Sequence, residues 1–484
     1  MAARHGRQPL ATVLLPTATS AIFFMIVLPL SWALMRNGER WRAFIVAASF
    51  VFYAGWDWRF CFLLAFSILF NQGLAQAIHA RSSPAARKQL LVVALVGNLG
   101  LLGYFKYYDF FVTSTTNLFA VVGLDIPLGV REIVLPVGIS FFTFMAISYV
   151  VDVYRRDFAP TSLSTFAAYL SFFPHLVAGP IVRPGELIPQ LAAPRDPRYV
   201  DTSRAFFLIA TGLFMKVVIA NHLATGIVDQ VFGAPQQHSS LEVLVGVYAY
   251  AVQIYADFFG YTSIAIGIAL LLGFTFPQNF DAPYAATSIT DFWRRWHMTL
   301  SRWLRDYLYI PLGGNRGGTL LTYRNLMLTM LIGGLWHGAG WTFVAWGGIP
   351  GGALVLEGWR RARAGRVVRR STPRRRAWQR FWTFQVVCFS WIFFRSDSFA
   401  DAWELIQRLF TAWGEPSPLV TGGVVAAIAV GIGSQYLPRR LPPALMARFS
   451  RLPVPAQAVV LAAALLLVSV LGPEGVAPFI YFQF

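Results

Sequence analysis

The chain has 484 residues, of which 56% are hydrophobic and only 13% charged, with 42 Phe, 16 Trp and a formal net charge of +18. Soluble proteins carry about 25% charged residues, so this balance excludes an ordinary cytosolic enzyme, and the apolar and aromatic content excludes disorder, a collagen-like repeat and a disulfide scaffold. A mean hydropathy of +0.55 places the chain in a lipid bilayer.

A bilayer-crossing helix needs about 20 largely apolar residues. Runs of this kind cover Ser20 to Met35, Trp41 to Tyr53, Trp58 to Ile78, Leu90 to Val112, Ile133 to Val151 and Ala205 to Val228. They continue over Leu241 to Phe274, Leu326 to Leu356, Phe381 to Phe394, Leu419 to Tyr436 and Val454 to Leu471. With re-entrant pieces included, roughly ten to sixteen membrane helices are expected, forming an all-α polytopic bundle and one membrane-embedded domain over residues 1–484. The first run follows Arg4 and Arg7, but no small-residue cleavage site comes after it, so it is expected to be a retained anchor. Cys61 and Cys388 each sit inside an apolar run, where a thiol behaves as a small hydrophobe, so neither a disulfide nor a metal site is expected.

The basic residues fall mostly between apolar runs, which makes them loop charges facing anionic lipid rather than a nucleic-acid surface. Arg360 to Arg380 contains ten arginines and is expected on the cytoplasmic side, whereas Gln230 to Ser240 and Pro473 to Phe484 contain none and are expected outside. The same parity makes Leu326 to Leu356 start and end on the cytoplasmic side. Its 31 residues make about 46 Å of helix, too long for one crossing and short for two, so a bent or re-entrant pair is expected there, hinged at its many glycines.

Within that segment, Trp336-His337-Gly338-Ala339-Gly340-Trp341 sets a histidine where no charged residue occurs from Asn325 to Pro350. An ionisable group at that depth reads either as a proton-handling site or as a ring hydrogen-bonded to a neighbouring helix. Upstream, Trp293, Trp296, Leu300, Trp303 and Tyr307 recur at spacings of three and four, one apolar face of a helix capped at Thr290 and lying in the membrane interface. Arg294, Arg295, Arg302 and Arg305 lie off that stripe, with charge to offer a phosphate-rich donor. Membrane anchoring explains the tryptophans and arginines but not His297 or Asp306; His297 stands beside the stripe and is a candidate to pair with His337. Pro174, Gly179 and Pro180 interrupt another apolar run, which must be broken there, with His175 either lining a cavity or packing. Lys216, Gln253 and Asp257 are further polar positions in spans and are expected to pair between helices.

No Walker loop, dinucleotide fingerprint, zinc-protease signature or Gly-x-Ser-x-Gly elbow occurs. What remains is a histidine base without a protein nucleophile, which suits direct attack by a bound hydroxyl on an activated acyl group. Broken helices and buried polar groups are equally expected of a transporter or polymer-export channel, a reading that inverted repeats would favour.

Pro174 to Ile181, Asp291 to Arg316 and Gly334 to Ala339 closely resemble the membrane-bound O-acyltransferase family, most strongly its bacterial alginate O-acetyltransferase-like branch. Val137 to Phe144, Tyr149 to Tyr154, Gly273 to Tyr284 and Pro478 to Phe484 extend the resemblance over nearly the whole chain. It implies a helical bundle around a central tunnel, with the thioester donor entering from the cytoplasm and the acceptor or an accessory protein approaching from the other side. It also implies that His337 is the catalytic histidine and His297 the second active-site position. The mechanism expected from these residues has His337 as general base while His297 or a backbone N–H steadies the oxyanion. Trp336, Trp296, Arg305, Asp306 and Asn279 are the candidate substrate contacts; no residue is assigned to a metal or a resident cofactor. The expected reaction moves acetyl from acetyl-CoA to a hydroxyl of a cell-surface polysaccharide at the bacterial cytoplasmic membrane, completed through an extracytoplasmic acetyltransferase partner. One departure stands out: Gly260-Tyr261-Thr262-Ser263 occupies a place where the alginate-type proteins carry Ser-Asp after Gly-Tyr. That position and His297-Met298-Thr299-Leu300 are also similar to the branch that transfers D-alanyl groups to teichoic acids, so a carrier-protein donor and a cell-wall or small-molecule acceptor form the alternative.

Overall fold

The structure, a computed structural model, describes residues 15–124, 126, 129–364 and 372–472. The basic tail with Arg4 and Arg7, the middle of the arginine block at 365–371 and the segment 473–484, with its similarity to the family and its expected outer face, lie outside the described residues. Among the described residues every regular element is helical. Backbone contacts divide the chain into two compact units, one of Met1–Ala205 with Ile264–Pro277 and one of Phe206–Ser263 with Gln278–Phe484.

In the first unit, helices Ala18–Leu34, Gly38–Asp57, Arg59–Ala80 and Pro84–Leu102 begin where a short polar side chain takes up an orphan N–H: Thr17 bonds Ser20, Asn37 bonds Arg40 and Ser83 bonds Ala86, while Arg59–Ala80 has no such cap. The last of them continues through a π-helical turn into Tyr108–Val121. Phe62, Leu69, Val92, Val96 and Leu99 stay exposed, which in water would be a liability and in lipid is the expected outer surface. Inside lies Ile139–Arg155, buried without interruption from Phe141 to Val150. Asn71 and Asn98 exchange two amide hydrogen bonds of 3.1 and 2.7 Å between neighbouring helices, and the Tyr149 hydroxyl donates to Gln72 at 2.9 Å. Such pairs hold helices together where the hydrophobic effect has nothing to act on.

In the second unit, the helical run Thr202–Gly233, to which the first unit contributes the opening residues, passes through two π-helical turns, Phe214–Ala220 and Ala224–Val228. Ser240–Leu271 belongs to this unit up to Ser263. The expected bent segment is two helices, Thr319–His337 and Trp341–Ala364, joined by Gly338, Ala339 and Gly340. They extend past both ends of the apolar run into polar residues, which resolves the length problem: 19 and 24 residues make about 28 and 36 Å of helix. Their backbones meet directly. A Cβ on Gly334 would stand 2.3 Å from the Phe343 carbonyl oxygen, and one on Gly347 would stand 2.2 Å from that of Met330.

Five described helices are long and apolar enough to cross a membrane: Arg59–Ala80, Pro84–Val121, Thr202–Gly233, Ser240–Leu271 and Val454–Leu471. The chain is therefore a multi-pass membrane protein. The other apolar runs also fold into helices, among them Ala18–Leu34, that are shorter or more polar over that length. Val454–Leu471 has no buried residue and a mean hydropathy of 2.4, as a helix surrounded by lipid should.

Replacing Gly347 by Val drives two methyl groups into the carbonyl of a neighbouring helix, a steric cost of about 1–3 kcal/mol or more. The variant is expected to give a lower melting temperature and less monodisperse protein in detergent chromatography, whereas Gly352→Ala, where a Cβ meets nothing within 4 Å, should behave as the parent does.

Candidate active site

The tryptophan and arginine segment does not form the single helix expected from its periodicity. It makes two short helices, Ile289–Trp293 and Met298–Leu304, followed by a π-helical turn at Arg305–Tyr309. Ser288, not Thr290, caps the first, accepting the Asp291 N–H at 3.0 Å. Thr290 instead joins the Ile289 N–H in binding the Glu357 carboxylate, which accepts from Ile289 N at 2.6 Å, Thr290 N at 3.2 Å and Thr290 Oγ1 at 2.8 Å. An anion at a helix N-terminus neutralises the orphan donors and the dipole together.

The break falls at His297, whose backbone is left-handed at φ 41°, ψ 54°. A non-glycine residue pays for this conformation, and only surrounding contacts hold it. Asn279 supplies them. Its main-chain oxygen accepts the Met298 N–H at 2.9 Å, and its side-chain Oδ1 accepts from Thr299 N at 3.2 Å, Thr299 Oγ1 at 2.9 Å and His297 Nδ1 at 3.2 Å. The helical stripe is thereby turned inward. Trp296 is 1% exposed and packs against Phe280, Phe292 and Trp391, so its ring is enclosed by protein rather than laid on lipid.

His337 ends its helix because Gly338 turns to extended backbone at φ −157°, ψ 148°. Its imidazole is 3% exposed and held edge to face by aromatic rings, with centroids 4.8 Å from Trp346, 4.9 Å from Trp336 and 5.6 Å from Phe394. The fully buried His297 ring lies 6.4 Å away, edge-on to Phe258 at 4.6 Å. The two histidines are neighbours, as the sequence led one to expect, and His297 Nε2 makes no hydrogen bond among the described residues.

A cavity of about 440 Å³ opens beside His337. Leu326, Met330 and Leu354 form apolar wall, Trp293 and Trp346 aromatic wall, and Arg294, Arg302 and Arg305 bring three guanidinium groups. A pocket of this size with few polar groups converging on a titratable residue fits a small organic ligand. Arg305 is held by Asp306 at 2.6 and 3.0 Å. His297, Trp336, Trp296, Asn279 and Asp306 do not line this cavity: Trp336 packs against both histidines, and Asn279 supports the His297 turn. Periodicity showed neither Glu357, Trp346, Trp391 nor Phe394, since each comes from a distant part of the chain and carries no local signal.

Other polar positions resolve into structure. Lys216 Nζ and Asp257 Oδ1 are 2.5 Å apart and buried, a pair between the Phe214–Ala220 turn and Ser240–Leu271. The Pro174 region is broken as expected into Leu163–Ser171, a single turn Phe173–Leu176 and Pro184–Leu191. His175 is fully buried there, stacked on Phe276, with Nε2 donating to the Tyr169 carbonyl at 2.9 Å, which is the packing reading. The Thr262 hydroxyl is tied back to Phe258 O at 2.9 Å within its own helix, so the departure at that position adds no group to the cavity.

Residues 130–396 match the model of MBOAT, the membrane-bound O-acyltransferase family. The chain is 41% identical over 401 residues to a probable alginate O-acetylase of Pseudomonas aeruginosa, covering 81% of this chain and 74% of that one. It is 37% identical over 397 residues to a peptidoglycan O-acetyltransferase of Helicobacter pylori, covering 76% and 73%. Similarity to a teichoic acid D-alanyltransferase of Streptococcus thermophilus is lower, 26% over 251 residues, 47% of this chain and 58% of that one.

Because Glu357 holds the start of the arginine-bearing segment through three hydrogen bonds, Glu357→Ala should cost about 1–3 kcal/mol of stability. The expected readout is a lower melting temperature with faster proteolysis near residue 290. Glu357→Gln, which keeps an acceptor, should lose less.

Proposed function

We propose, for a chain that belongs to the membrane-bound O-acyltransferase family and is an acyltransferase, that the cavity beside His337 binds acetyl-CoA and that the acetyl group passes to a hydroxyl of a cell-surface polysaccharide. The observation that carries this reading is the cavity itself: an imidazole at one wall, apolar and aromatic surface for a thioester arm, and three arginines for phosphates. Family membership sets aside the export-channel reading.

The hydroxyl oxygen attacks the thioester carbonyl, the C–S bond breaks, and the proton lost by the hydroxyl reaches the departing thiolate sulfur. His337 is the proton-handling group on the donor side because it lines the cavity. Its aromatic enclosure excludes water that would otherwise hydrolyse the thioester. Two relatives named as acting on surface polymers, alginate and peptidoglycan, support a glycan acceptor. A bacterial cytoplasmic membrane location and an extracytoplasmic acetyltransferase partner belong to the same proposal. Arg294 and Arg305 are exposed, and an acidic carrier protein docking on them is the alternative donor. CoA release from acetyl-CoA by the purified protein supports the first donor, while release only from an acylated carrier protein supports the second.

His337→Ala should lower acetyl transfer by about 100-fold or more with normal insertion into membranes; retained transfer would remove the assignment. Arg294→Ala combined with Arg302→Ala should raise KM for acetyl-CoA by about tenfold or more, the loss of two charge-assisted contacts, while leaving KM for acetyl-pantetheine, which lacks the nucleotide phosphates, unchanged.

A further inference from the structure

The tautomer of His297 is legible from its partner. Asn279 Oδ1 faces the Thr299 backbone N–H at 3.2 Å as well as His297 Nδ1 at 3.2 Å. A backbone N–H can only donate, so the amide atom at that point is the oxygen, and the same oxygen can only accept from the imidazole. His297 therefore carries its hydrogen on Nδ1. The neutral ring is left with a lone pair on Nε2, a buried atom with no hydrogen-bond partner among the described residues. A neutral ring in this tautomer has nothing at Nε2 to donate to an oxyanion.

Among the described residues, one of the rings in contact with His297 is titratable. The rings against His297 are Phe258, from Ser240–Leu271, and Trp336, both uncharged, and His337, whose ring centroid is 6.4 Å away. Asp257, next to Phe258, is paired with Lys216. His337 lines the donor cavity and His297 does not.

We propose that Asn279 is a positioning residue that holds His297 in the Nδ1–H tautomer, and that the Nε2 lone pair so presented takes the proton from the acceptor hydroxyl. This rests on the acyl-transfer reading above and refines which ring receives the proton first. The O–H bond breaks toward Nε2 as the oxygen bonds the acyl carbon. The C–S bond then breaks, and the thiolate takes a proton from His337, which is replenished from His297. The pair gains one proton from oxygen and loses one to sulfur, so it ends as it began.

Asn279→Asp tests this directly. The carboxylate keeps an acceptor for all three donors, and because Asn279 Nδ2 has no partner among the described residues, no hydrogen bond within them is lost. The measurement is CoA release by membrane vesicles given acetyl-CoA and O-deacetylated alginate, as a function of pH. A negative charge beside the ring favours imidazolium, so the acid limb of the rate profile should move up by about one pH unit or more, with KM for acetyl-CoA unchanged. If the alkaline limb moves instead, His297 acts as a charged donor and the proposal falls; if neither limb moves, Asn279 is only structural and it falls likewise. Should the variant not insert, nitrogen NMR of the unsubstituted protein labelled with 15N-histidine decides, with His297→Asn identifying the resonances. A protonated Nδ1 and bare Nε2 are expected, and the reverse overturns the proposal. Absence of CoA release from the unsubstituted protein would instead count against the acyl-transfer reading, and the NMR tautomer would still be read.

Discussion

Two helix backbones in contact at Gly334 and Gly347 are what the second unit depends on. Helices separated by side chains stand 8–10 Å apart; glycines let the carbonyls of one lie against the α-carbons of the other. That closeness brings Trp346, on the returning helix, against the His337 ring, and Phe343 over Gly338. Where hydrocarbon surrounds the protein, packing of this kind replaces the hydrophobic effect as the force that joins helices. The histidine is carried at the tip of the pair, at the point where the helix ends and the backbone turns extended.

The second structural device is the turn at His297. A left-handed histidine costs conformational energy, and four hydrogen bonds that Asn279 accepts from His297, Met298 and Thr299 offset it. The same bonds end one short helix, start the next and set the imidazole's tautomer, so backbone strain and proton placement have a single cause. Aromatic rings complete the arrangement: Trp336 lies against both histidines, and Trp391 and Phe394 close the far side of Trp346. These rings contribute no charge, and the charged groups at the cavity are the three arginines.

Much of the membrane architecture was legible in the chain. Apolar runs marked the long helices because a segment in lipid must satisfy its own backbone hydrogen bonds and show apolar side chains outward, and both demands are local. The helix pair around His337 followed from a length that suited neither one crossing nor two, and the break near His175 from prolines that cannot continue a helix. The segment 290–307 shows the limit of such reasoning. Its tryptophans and leucine keep helical spacing, yet the chain breaks at His297, because Asn279, 18 residues upstream, offers the backbone better hydrogen bonds than the helix would.

Composition and spacing were enough to put the chain in a bilayer and to mark where its long helices lie, since both demands are local to each segment. Only the packed chain shows that Asn279 supports His297 rather than lining the cavity, that Glu357 caps a helix 68 residues before it, and that His337 shares a cavity with the arginines of another segment. Those relations depend on which helices pack together. Packing joins residues far apart in the chain through contacts that no local pattern encodes.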